Sequence, residues 1–353
     1  MSLNRDLAVL FARSYFPKGK TIRICDPMTG SGVRAARYLL EVPNVAEAIV
    51  GDREDAAADL AQETAALNGV TGRMTILHID AHALLSNYVA NRFDLVDLDP
   101  FGSPATFFES ALRATNDCGV VAATATDMGP LSGARPRACL RKYGVWTVRT
   151  EFEKELAVRA LAGCLLLTAS RLELAIRLVF SHATDHYARI YALVSKGRKA
   201  ANQTLTYCGY LLYCPNCLFR DMVESPSSVR IACKTCGSAA KVGGPFWLGP
   251  LWDGGTLETM VRHAAGLASS RLSEVQKILA LIEEEREASR LYYTTGAIAS
   301  RYKVKPPAVV TLIHSLRDLG YQATKTHFNP TGFRTNAPVS AIAASFHVIT
   351  KES

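Results

Sequence analysis

The chain alternates short apolar runs with longer amphipathic stretches from residue 21 to residue 130. Five of the runs predict β-strands: Thr21–Cys25, Ala46–Gly51, Met74–His78, Phe93–Leu98 and Gly119–Thr124. The stretches long enough for crossover helices are Val33–Leu40, Asp55–Leu67 and Phe107–Ala114. Such alternation predicts an α/β fold, a doubly wound Rossmann-like sheet whose parallel strands carry helices on both faces.

The pattern changes after this region. The runs Leu172–Phe180 and Tyr187–Ser195 flank the polar residues 181–186, which predicts an antiparallel hairpin that closes the sheet. A polar segment follows, then a group of cysteines, a helix-like stretch at Leu257–Arg290 and a last unit from residue 291. We therefore predict three parts: a sheet domain at 1–200, a cysteine-rich segment at 201–256 and a C-terminal domain at 257–353.

The composition is that of a globular protein. Of the 353 residues, 48% are hydrophobic and 20% are charged, which suits about two domains with a substantial core. No apolar run approaches the roughly 20 residues of a membrane helix, and the first residues lack a signal-peptide core. We expect a cytoplasmic protein without a membrane contact, and no obligate protein partner is evident.

A glycine-rich turn follows the first predicted strand, in the sequence Asp-Pro-Met-Thr-Gly-Ser-Gly at 26–32. Gly30 and Gly32 would let the backbone turn tightly and approach a ligand. Taken alone the pair is a weak signal, since turns explain most such glycines. Its position between a strand and a helix favours a nucleotide site, and both NAD and S-adenosylmethionine fit that site.

Aspartates follow four successive strands: Asp26, Asp52, Asp80 and Asp99. A single aspartate at a strand end is usually a helix N-cap, but four in succession favour a ligand site at the carboxyl edge of the sheet. Asp52 lies twenty positions after Gly32. That spacing predicts a carboxylate that accepts hydrogen bonds from the hydroxyls of a ribose.

The fourth strand ends in Asp-Pro-Phe-Gly, residues 99–102. This sequence could be a simple turn. Methyltransferases that act on exocyclic amines of bases place an Asp or Asn, a proline and an aromatic residue here. The amine is a poor nucleophile, so Asp99 and the carbonyl of Pro100 would accept its N–H groups and orient it. Phe101 would offer a face to an unstacked base.

Four cysteines have the spacing of a metal site. Cys214 and Cys217 form one CxxC pair, Cys233 and Cys236 form another, and fifteen residues separate the pairs. Four thiolates in a tetrahedron suit structural zinc. Disulfides are the competing interpretation, although a reducing compartment disfavours them.

The net charge of +8 favours a polyanionic partner if the charge is concentrated. It is concentrated in the C-terminal part, where two predicted helices and a turn resemble a winged helix. A second group of cations lies beside the predicted active-site loops. The cations are Arg301, Lys303, Lys305, Arg317, Lys325, Arg334, Arg135, Arg137, Arg141 and Lys142. A solvated surface would explain them, but we favour a track for RNA phosphates.

At this point the sequence resembles the tRNA guanine-26 N2-dimethyltransferase family over nearly its whole length. The motifs that carry the resemblance are NRD at 4–6, DLDPFGSP at 97–104, ATD with GARPRACLRKYG at 125–144, WLGPLWDG at 247–254 and THFNPTGFRTNAP at 326–338. The resemblance implies S-adenosylmethionine as methyl donor, tRNA as partner, and one or two methyl transfers to N2 of guanosine 26.

The resemblance also implies roles for single residues. Arg5 and Arg34 would lie near the methionine portion of the cofactor, Asp52 on the ribose, Asp80 and Ala81 on the adenine, and Asp99 on the reacting amine. The family leader that precedes the NRD motif is absent from this chain. If that leader covers the active site, we expect weak binding of cofactor or tRNA.

Two alternatives differ from this prediction. One is an amino-methyltransferase for another tRNA guanine or for adenine N6. The other is a non-catalytic RNA-binding protein on a methyltransferase scaffold, against which the intact Asp52, Asp80 and Asp99 argue. Binding of S-adenosylmethionine would separate the two classes.

Overall fold

A seven-stranded sheet organises the first part of the protein. The computed structural model describes residues 2–17, 19–225 and 232–351. The strands of the sheet are β1 (Ile22–Asp26), β2 (Val45–Asp52), β3 (Met74–His78), β4 (Phe93–Leu98), β5 (Thr115–Ala125), β6 (Leu174–Thr184) and β7 (Tyr187–Lys196). Their spatial order is β3-β2-β1-β4-β5-β7-β6; β1 to β5 are parallel, and β7 is antiparallel to both neighbours. The predicted doubly wound sheet with its closing hairpin is confirmed.

Helices cover both faces of this sheet. They are α1 (Ser2–Tyr15), α2 (Val33–Glu41), α3 (Asp55–Leu67), α4 (Ala81–Asn87), α5 (Phe108–Ala114), α6 (Met128–Leu131), α7 (Pro136–Tyr143), α8 (Glu153–Arg171) and α9 (Arg198–Thr204). Successive strand residues alternate between two separate cores: Ile24 packs in one and Cys25 in the other. Because both faces are buried, the strands are mostly apolar, as a covered parallel sheet requires.

Helix α1 is an element that the sequence analysis did not predict. Its residues Leu3, Leu7, Leu10 and Phe11 are buried at helical spacing, which was the available signal. The helix also buries two polar residues of the NRD motif. Asn4 and Asp6 both lie in the interior. Asn4 accepts from Arg34 on α2 at 3.0 Å and donates to Thr124 on β5 at 3.5 Å, and Asp6 accepts from Arg37 on α2 at 2.6 Å.

The cysteine-rich segment forms a three-stranded antiparallel sheet. Its strands are β8 (Cys208–Tyr213), β9 (Arg220–Val223) and β10 (Lys241–Trp247), in the order β10-β8-β9. Strand β10 packs on α8. Gly163 of α8 permits this approach, because a Cβ there would lie 2.9 Å from the carbonyl oxygen of Pro245. This contact fixes the cysteine-rich segment against α8, which packs on the seven-stranded sheet.

The C-terminal part contains the remaining elements. They are α10 (Gly254–Ala264), α11 (Leu272–Glu285), β11 (Tyr293–Thr294), α12 (Thr295–Tyr302), α13 (Val309–Asp318), β12 (Ala323–Lys325), β13 (Gly332–Thr335) and α14 (Val339–Lys351). The three strands pair in the order β11-β13-β12 and lie beside α12 and α13, which is a winged-helix-like arrangement. No helix within the described ranges is long and apolar enough to cross a membrane.

The predicted helix at Leu257–Arg290 is interrupted. Helix α10 ends at Ala264 and α11 begins at Leu272, with Gly266 in the turn between them. Both helices pack on α1, and their apolar residues share the core on that face of the sheet. The boundaries of the three parts stay a prediction, since the packing joins 257–285 to the sheet as closely as to the last unit.

A buried network of charged groups joins the winged-helix-like unit to helix α8, which packs on the seven-stranded sheet. Glu155 on α8 accepts from Arg159, at 2.9 Å from its Nε, and pairs with Arg334 on β13 at 2.9 Å. Glu285 at the end of α11 binds the Nε of Arg334 at 2.5 Å and the backbone N–H of His327 at 2.9 Å. Arg159 also donates to the carbonyl oxygens of Trp247 and Gly249 at 3.0 and 3.2 Å. We call these five side chains, Glu155, Arg159, Glu285, His327 and Arg334, the interdomain network.

This network corrects one expectation. Arg334 was predicted to belong to a track for RNA phosphates, but only 2% of its surface is exposed and both of its carboxylate partners are buried. A guanidinium in this position cannot reach a phosphate. The prediction was wrong because the sequence does not distinguish a buried, paired arginine from a solvated one.

The network predicts a large loss of stability when Arg334 is replaced. Arg334→Met leaves Glu155 and Glu285 buried without their shared cation, and breaking a buried pair costs about 3–5 kcal/mol. We expect the free energy of unfolding, measured by urea titration at neutral pH, to fall by that amount. The matched control is Arg317→Met, because Arg317 is half-exposed and pairs with Glu284 at the surface, where a pair contributes at most about 1 kcal/mol. Equal unfolding midpoints in the two variants would contradict the assignment.

Candidate active site at the carboxyl edge of the sheet

The turn after β1 has the geometry that its glycines predict. Gly30 and Gly32 have φ values of 54° and 72°, a region that favours glycine. A Cβ on Gly32 would lie 2.8 Å from Met74 and 3.0 Å from Ala61, so this glycine allows α2 to approach its neighbours. A Cβ on Gly30 would meet nothing within 4 Å. The backbone at Gly30 is therefore open to a ligand.

Asp52 stands at the tip of β2 next to this turn. One carboxylate oxygen accepts the backbone N–H of Gly30 at 3.0 Å, and the other accepts that of Glu54 at 3.2 Å. These bonds hold the side chain towards the glycine turn. The structure thus brings together the three residues that the sequence analysis assigned to one cofactor site, Gly30, Gly32 and Asp52.

Asp80 caps a helix. Its Oδ1 accepts the backbone N–H groups of His82 and Ala83, at 2.8 and 3.4 Å, at the start of α4. The capping role that a single strand-end aspartate usually has is therefore present here. The residue is exposed at the same edge of the sheet as Asp52, and Ala81 beside it is buried. Capping leaves the second carboxylate oxygen available.

The Asp-Pro-Phe-Gly turn presents three groups at the end of β4. Asp99 is half-buried; its Oδ2 accepts from Arg34, and its Oδ1 is buried with no partner among the described residues. A buried carboxylate oxygen without a donor is costly, and it suits a ligand N–H. Pro100 is buried, and the ring of Phe101 is fully exposed. An exposed aromatic ring beside an unpartnered carboxylate oxygen can receive a planar base.

The loop after β5 holds this turn in place. The N–H of Gly102 donates to Thr126 Oγ1 at 2.7 Å, and the N–H of Thr126 donates to the carbonyl of Gly102 at 3.0 Å. Asp127 in turn accepts from Tyr143 and, at 2.7 Å, from Lys142. The ATD motif therefore connects the Asp99 turn to α7. Lys142, predicted to contact phosphates, already pairs with Asp127.

The two arginines assigned to the cofactor by resemblance differ in their surroundings. Arg34 is buried; it donates to Asn4 at 3.0 Å and to Asp99, and lies 3.6 Å from Asp97. Burial lowers the pKa of a guanidinium, but the carboxylate of Asp97 outweighs this and keeps the pKa of Arg34 high. Arg5 is half-buried and forms no hydrogen bond or ion pair with any residue in the described part of the chain. Arg5 therefore has a free guanidinium, whereas Arg34 positions Asp99.

The sequence analysis did not identify Asp97, Arg189 and Tyr38, which form a buried cluster next to Arg34. Asp97 is fully buried, and its two oxygens lie 2.9 and 2.7 Å from one nitrogen of Arg189 on β7. Tyr38 also donates to Asp97 at 2.7 Å. Burial raises the pKa of a carboxyl, but Arg189 and Arg34 hold the pKa of Asp97 below its ordinary value. The available signal was the DxD spacing, since residues 97 and 99 point to the same side of a strand.

Asp26 is the third carboxyl of this cluster. It is buried, its Oδ2 lies 3.4 Å from Thr29 Oγ1, and its Oδ1 has no partner among the described residues. Burial and the neighbouring charge of Asp97 raise the pKa of Asp26 to about 7. Two guanidiniums thus face three carboxyls, and Asp26 is the one that keeps its proton in weakly acidic solution.

The four predicted zinc ligands meet at one point. Their sulfur atoms lie within 4.8 Å of one another, with Cys214–Cys236 and Cys217–Cys233 separations of 3.6 Å. A tetrahedral zinc with bonds of about 2.3 Å places sulfurs about 3.8 Å apart. All four cysteines are free of disulfides, and the two turns that carry them have matching hydrogen bonds, Leu218 N–H to Cys214 and Gly237 N–H to Cys233. The donor set fits structural zinc, with no position left for a substrate.

Comparison with known proteins adds a family and a structure. Residues 1–347 match the family model described as N2,N2-dimethylguanosine tRNA methyltransferase. The tRNA (guanine(26)-N(2))-dimethyltransferase of Methanosphaerula palustris is 35% identical, over 98% of this chain and 89% of that protein. The tRNA (guanine(26)-N(2)/guanine(27)-N(2))-dimethyltransferase of Aquifex aeolicus is 33% identical, over 95% and 85%. The structure of Trm1 from Pyrococcus horikoshii with S-adenosyl-L-methionine superposes with a TM-score of 0.88 and 33% identity, covering 98% of this chain and 92% of that one.

The cysteine geometry predicts one zinc ion per chain. Cys233→Ser removes a ligand, so zinc and the local fold should be lost together, whereas the cofactor site on the separate sheet should survive. The control is Cys208→Ser, because Cys208 lies on β8 outside the cluster. Elemental analysis gives the stoichiometry, and X-ray absorption should give Zn–S distances of about 2.3 Å. Full zinc content in the Cys233 variant would show that the assignment is wrong.

The raised pKa of Asp26 predicts a pH dependence of stability. Between its ordinary pKa of 3.8 and about 7, the unfolded chain has released this proton while the folded chain keeps it. The contribution of Asp26 is therefore complete below that window and is lost as the pH rises through it. Asp26→Asn should remove this loss, so its unfolding free energy should fall less between pH 5 and pH 8 than that of the wild type. Identical pH profiles would refute the assignment.

Proposed function

The chain belongs to the N2,N2-dimethylguanosine tRNA methyltransferase family, and from this premise we propose how its residues act. The enzyme transfers one or two methyl groups from S-adenosylmethionine to the exocyclic N2 of guanosine 26 of tRNA. The observation that carries the residue assignment is the Asp99 turn, where an unpartnered carboxylate oxygen lies beside an exposed aromatic ring.

The residues at the sheet edge fit the methyl donor. The carboxylate of Asp52, the open backbone at Gly30 and the available oxygen of Asp80 suit the ribose and adenine of a nucleoside, with Gly32 and Ala81 forming the adjoining backbone. The free guanidinium of Arg5 suits the carboxylate of the methionine portion. When bound, S-adenosylmethionine supplies an electrophilic methyl group. We assign Arg34 to the same region because it donates a hydrogen bond to Asp99.

The protein's own contribution to the reaction is the orientation of the amine. The Oδ1 of Asp99 accepts one N–H of the guanine amine and the carbonyl of Pro100 accepts the other, which localises electron density on nitrogen. Phe101 supports the extruded base by stacking. Arg34 and the Gly102–Thr126 bonds fix the turn, so the amine is aligned before the reaction begins.

We propose that the rest of the chain binds the tRNA body. Exposed cations without an ion pair among the described residues lie on two parts of the surface, Arg135, Arg137 and Arg141 near the Asp99 turn, and Lys303, Lys305 and Lys325 on the winged-helix-like unit. On this proposal residues 257–353 contact tRNA and the zinc segment connects them to the sheet. Because tRNA is the substrate and all nine cysteines are free, we also propose that the enzyme acts in the cytoplasm.

The test of the function uses an unmodified tRNA transcript, the purified protein and S-adenosylmethionine. Mass spectrometry of the digested nucleosides should show N2-methylguanosine and N2,N2-dimethylguanosine, and a transcript with adenosine at position 26 should remain unmethylated. Methylation of that control transcript at another guanine, or the appearance of N6-methyladenosine, would indicate an amino-methyltransferase of different specificity. Cofactor binding without methyl transfer would indicate a non-catalytic RNA-binding protein.

Asp99 and Asp52 should separate turnover from cofactor binding. Asp99→Ala leaves Arg34 with Asn4 and Asp97 as partners, so the site should persist while turnover falls by about a hundredfold or more. Asp52→Ala removes hydrogen bonds to the ribose of about 1.5–3 kcal/mol each, which should weaken cofactor binding at least about tenfold in calorimetry. Turnover of the Asp99 variant near that of the wild type, or unaltered cofactor affinity in the Asp52 variant, would exclude the corresponding role.

A further inference from the structure

Trp146 is an exposed tryptophan held on a rigid backbone. The residue is 40% exposed, while Trp247 is fully buried and Trp252 is half-buried. The indole N–H groups of Trp247 and Trp252 donate to carbonyl oxygens, at 2.9 and 2.8 Å, but that of Trp146 has no partner among the described residues. The backbone of Trp146 exchanges two hydrogen bonds of 2.8 Å with Gly244. The ring is therefore presented to solvent from a fixed position between the sheet and the zinc segment.

Unpaired arginines surround this part of the chain. Arg137 and Arg141 are exposed on α7, and Arg149 is exposed three residues after Trp146. Gly133, two residues before Arg135, packs against the backbone of residues 148 and 149, which brings these two segments of the chain together. None of these four guanidiniums has an ion pair with a residue in the described ranges. The sequence analysis identified three of them, but not Arg149 or the tryptophan.

The nearby carboxylates do not neutralise this surface. Asp127 is bound by Lys142 and Tyr143, and Glu151 is bound by Arg220 and by Tyr213. The surface therefore combines excess positive charge with one large aromatic ring. Phosphates release counterions from such a surface, and an unstacked base can rest on the ring; together these are the features of a single-stranded nucleic-acid site.

Trp146 is connected to the turn that carries Asp99. Tyr143, three residues before it, donates to Asp127, and Thr126 beside Asp127 binds Gly102. Each of these contacts is a hydrogen bond between ordered elements. A tRNA whose guanine rests on Phe101 would therefore extend over a surface that is rigidly coupled to Trp146.

We propose that Trp146 is a second stacking platform, which holds an unstacked base of the tRNA close to the extruded guanine while the four arginines bind the adjoining phosphates. This inference rests on the proposed function and adds a substrate-positioning residue to it. An RNA is favoured over a protein partner because the four arginines have no ion pair among the described residues, whereas Asp127 and Glu151 are already bound by Lys142 and Arg220. Extruding a guanine leaves its neighbours without a stacking partner, and an indole face replaces that partner.

Tryptophan fluorescence tests the proposal directly. The chain has three tryptophans, and the other two are buried or half-buried. Stacking of a base on Trp146 should quench the emission of the wild type when tRNA is added, after correction for absorption by the RNA. Trp146→Phe should lose most of this quenching yet keep tRNA affinity, since phenylalanine also stacks. Full quenching in Trp146→Phe would overturn the proposal.

Binding and turnover supply the second readout. Trp146→Ala should weaken tRNA binding and raise KM for tRNA about tenfold, with cofactor affinity unchanged. The dependence of log Kd on log salt should keep its slope, because no charge is removed, whereas Arg137→Ala should reduce that slope by about 1. The matched control is Tyr207→Ala, a residue of the same 40% exposure in another part of the surface, which should leave tRNA binding unchanged.

The outcomes separate this inference from the proposed function. Wild-type enzyme that methylates guanosine 26, with unchanged tRNA affinity in Trp146→Ala, would overturn the stacking platform alone. Wild-type enzyme without methylation would overturn the function itself. If Trp146→Ala instead dissociates an oligomer in size-exclusion chromatography and leaves tRNA affinity unchanged, the ring is a contact between copies, and the proposal is wrong.

Discussion

The buried ion pair between Asp97 and Arg189 fixes the catalytic edge of the sheet. Asp97 is on β4 and Arg189 is on β7, with β5 between them, and Thr124 of β5 accepts from the same guanidinium at 2.5 Å. Removing either partner would leave a charge in the interior, which costs about 3–5 kcal/mol. Three strands are thereby locked in register. Asp99 continues the row of Asp97, so its position depends on this pair.

The same pair explains how carboxyls of similar sequence context acquire different tasks. Asp97 forms its ion pair with Arg189. Arg34 binds one oxygen of Asp99, so the other oxygen of that carboxylate has no partner among the described residues and is available to an amine. Asp26 lies near Arg34 but forms no ion pair, and burial with the charge of Asp97 raises its pKa to about 7. The cluster thus contains one structural carboxylate, one with an oxygen that has no partner among the described residues, and one that keeps a proton. The strand that carries each carboxyl and the depth of that carboxyl in the protein determine which of the three roles it has.

The sequence allowed the fold to be predicted, because it depends on local patterns, and the strands fall within a few residues of their predicted ends. Gly30 and Asp52 are in contact, and Asp99 follows a strand of the same parallel sheet, since parallel strands deliver their ends to one edge. The roles of these residues stay a prediction. Which charged side chains are buried could not be predicted from the sequence. Arg34, Arg189 and Arg334 are charged residues whose sequence spacing does not indicate burial, yet each is interior because a carboxylate distant in sequence is its partner. Such pairs exist only once the chain has folded.

The motifs of the family resemblance divide between chemistry and architecture. The motif at 97–104 contains the amine site that we propose, whereas the motif at 326–338 supplies His327 and Arg334 to the interdomain network. The motif at 247–254 supplies the backbone oxygens of Trp247 and Gly249 that accept from Arg159 of this network. An apolar contact would hold two units together while tolerating small shifts, because dispersion is not directional. Hydrogen-bonded ion pairs have one geometry. On the proposed function, placing one nucleotide of a large RNA on Asp99 requires a constant distance from that residue to the cations that we propose bind the RNA. The buried network meets this need at the cost of desolvating five polar side chains.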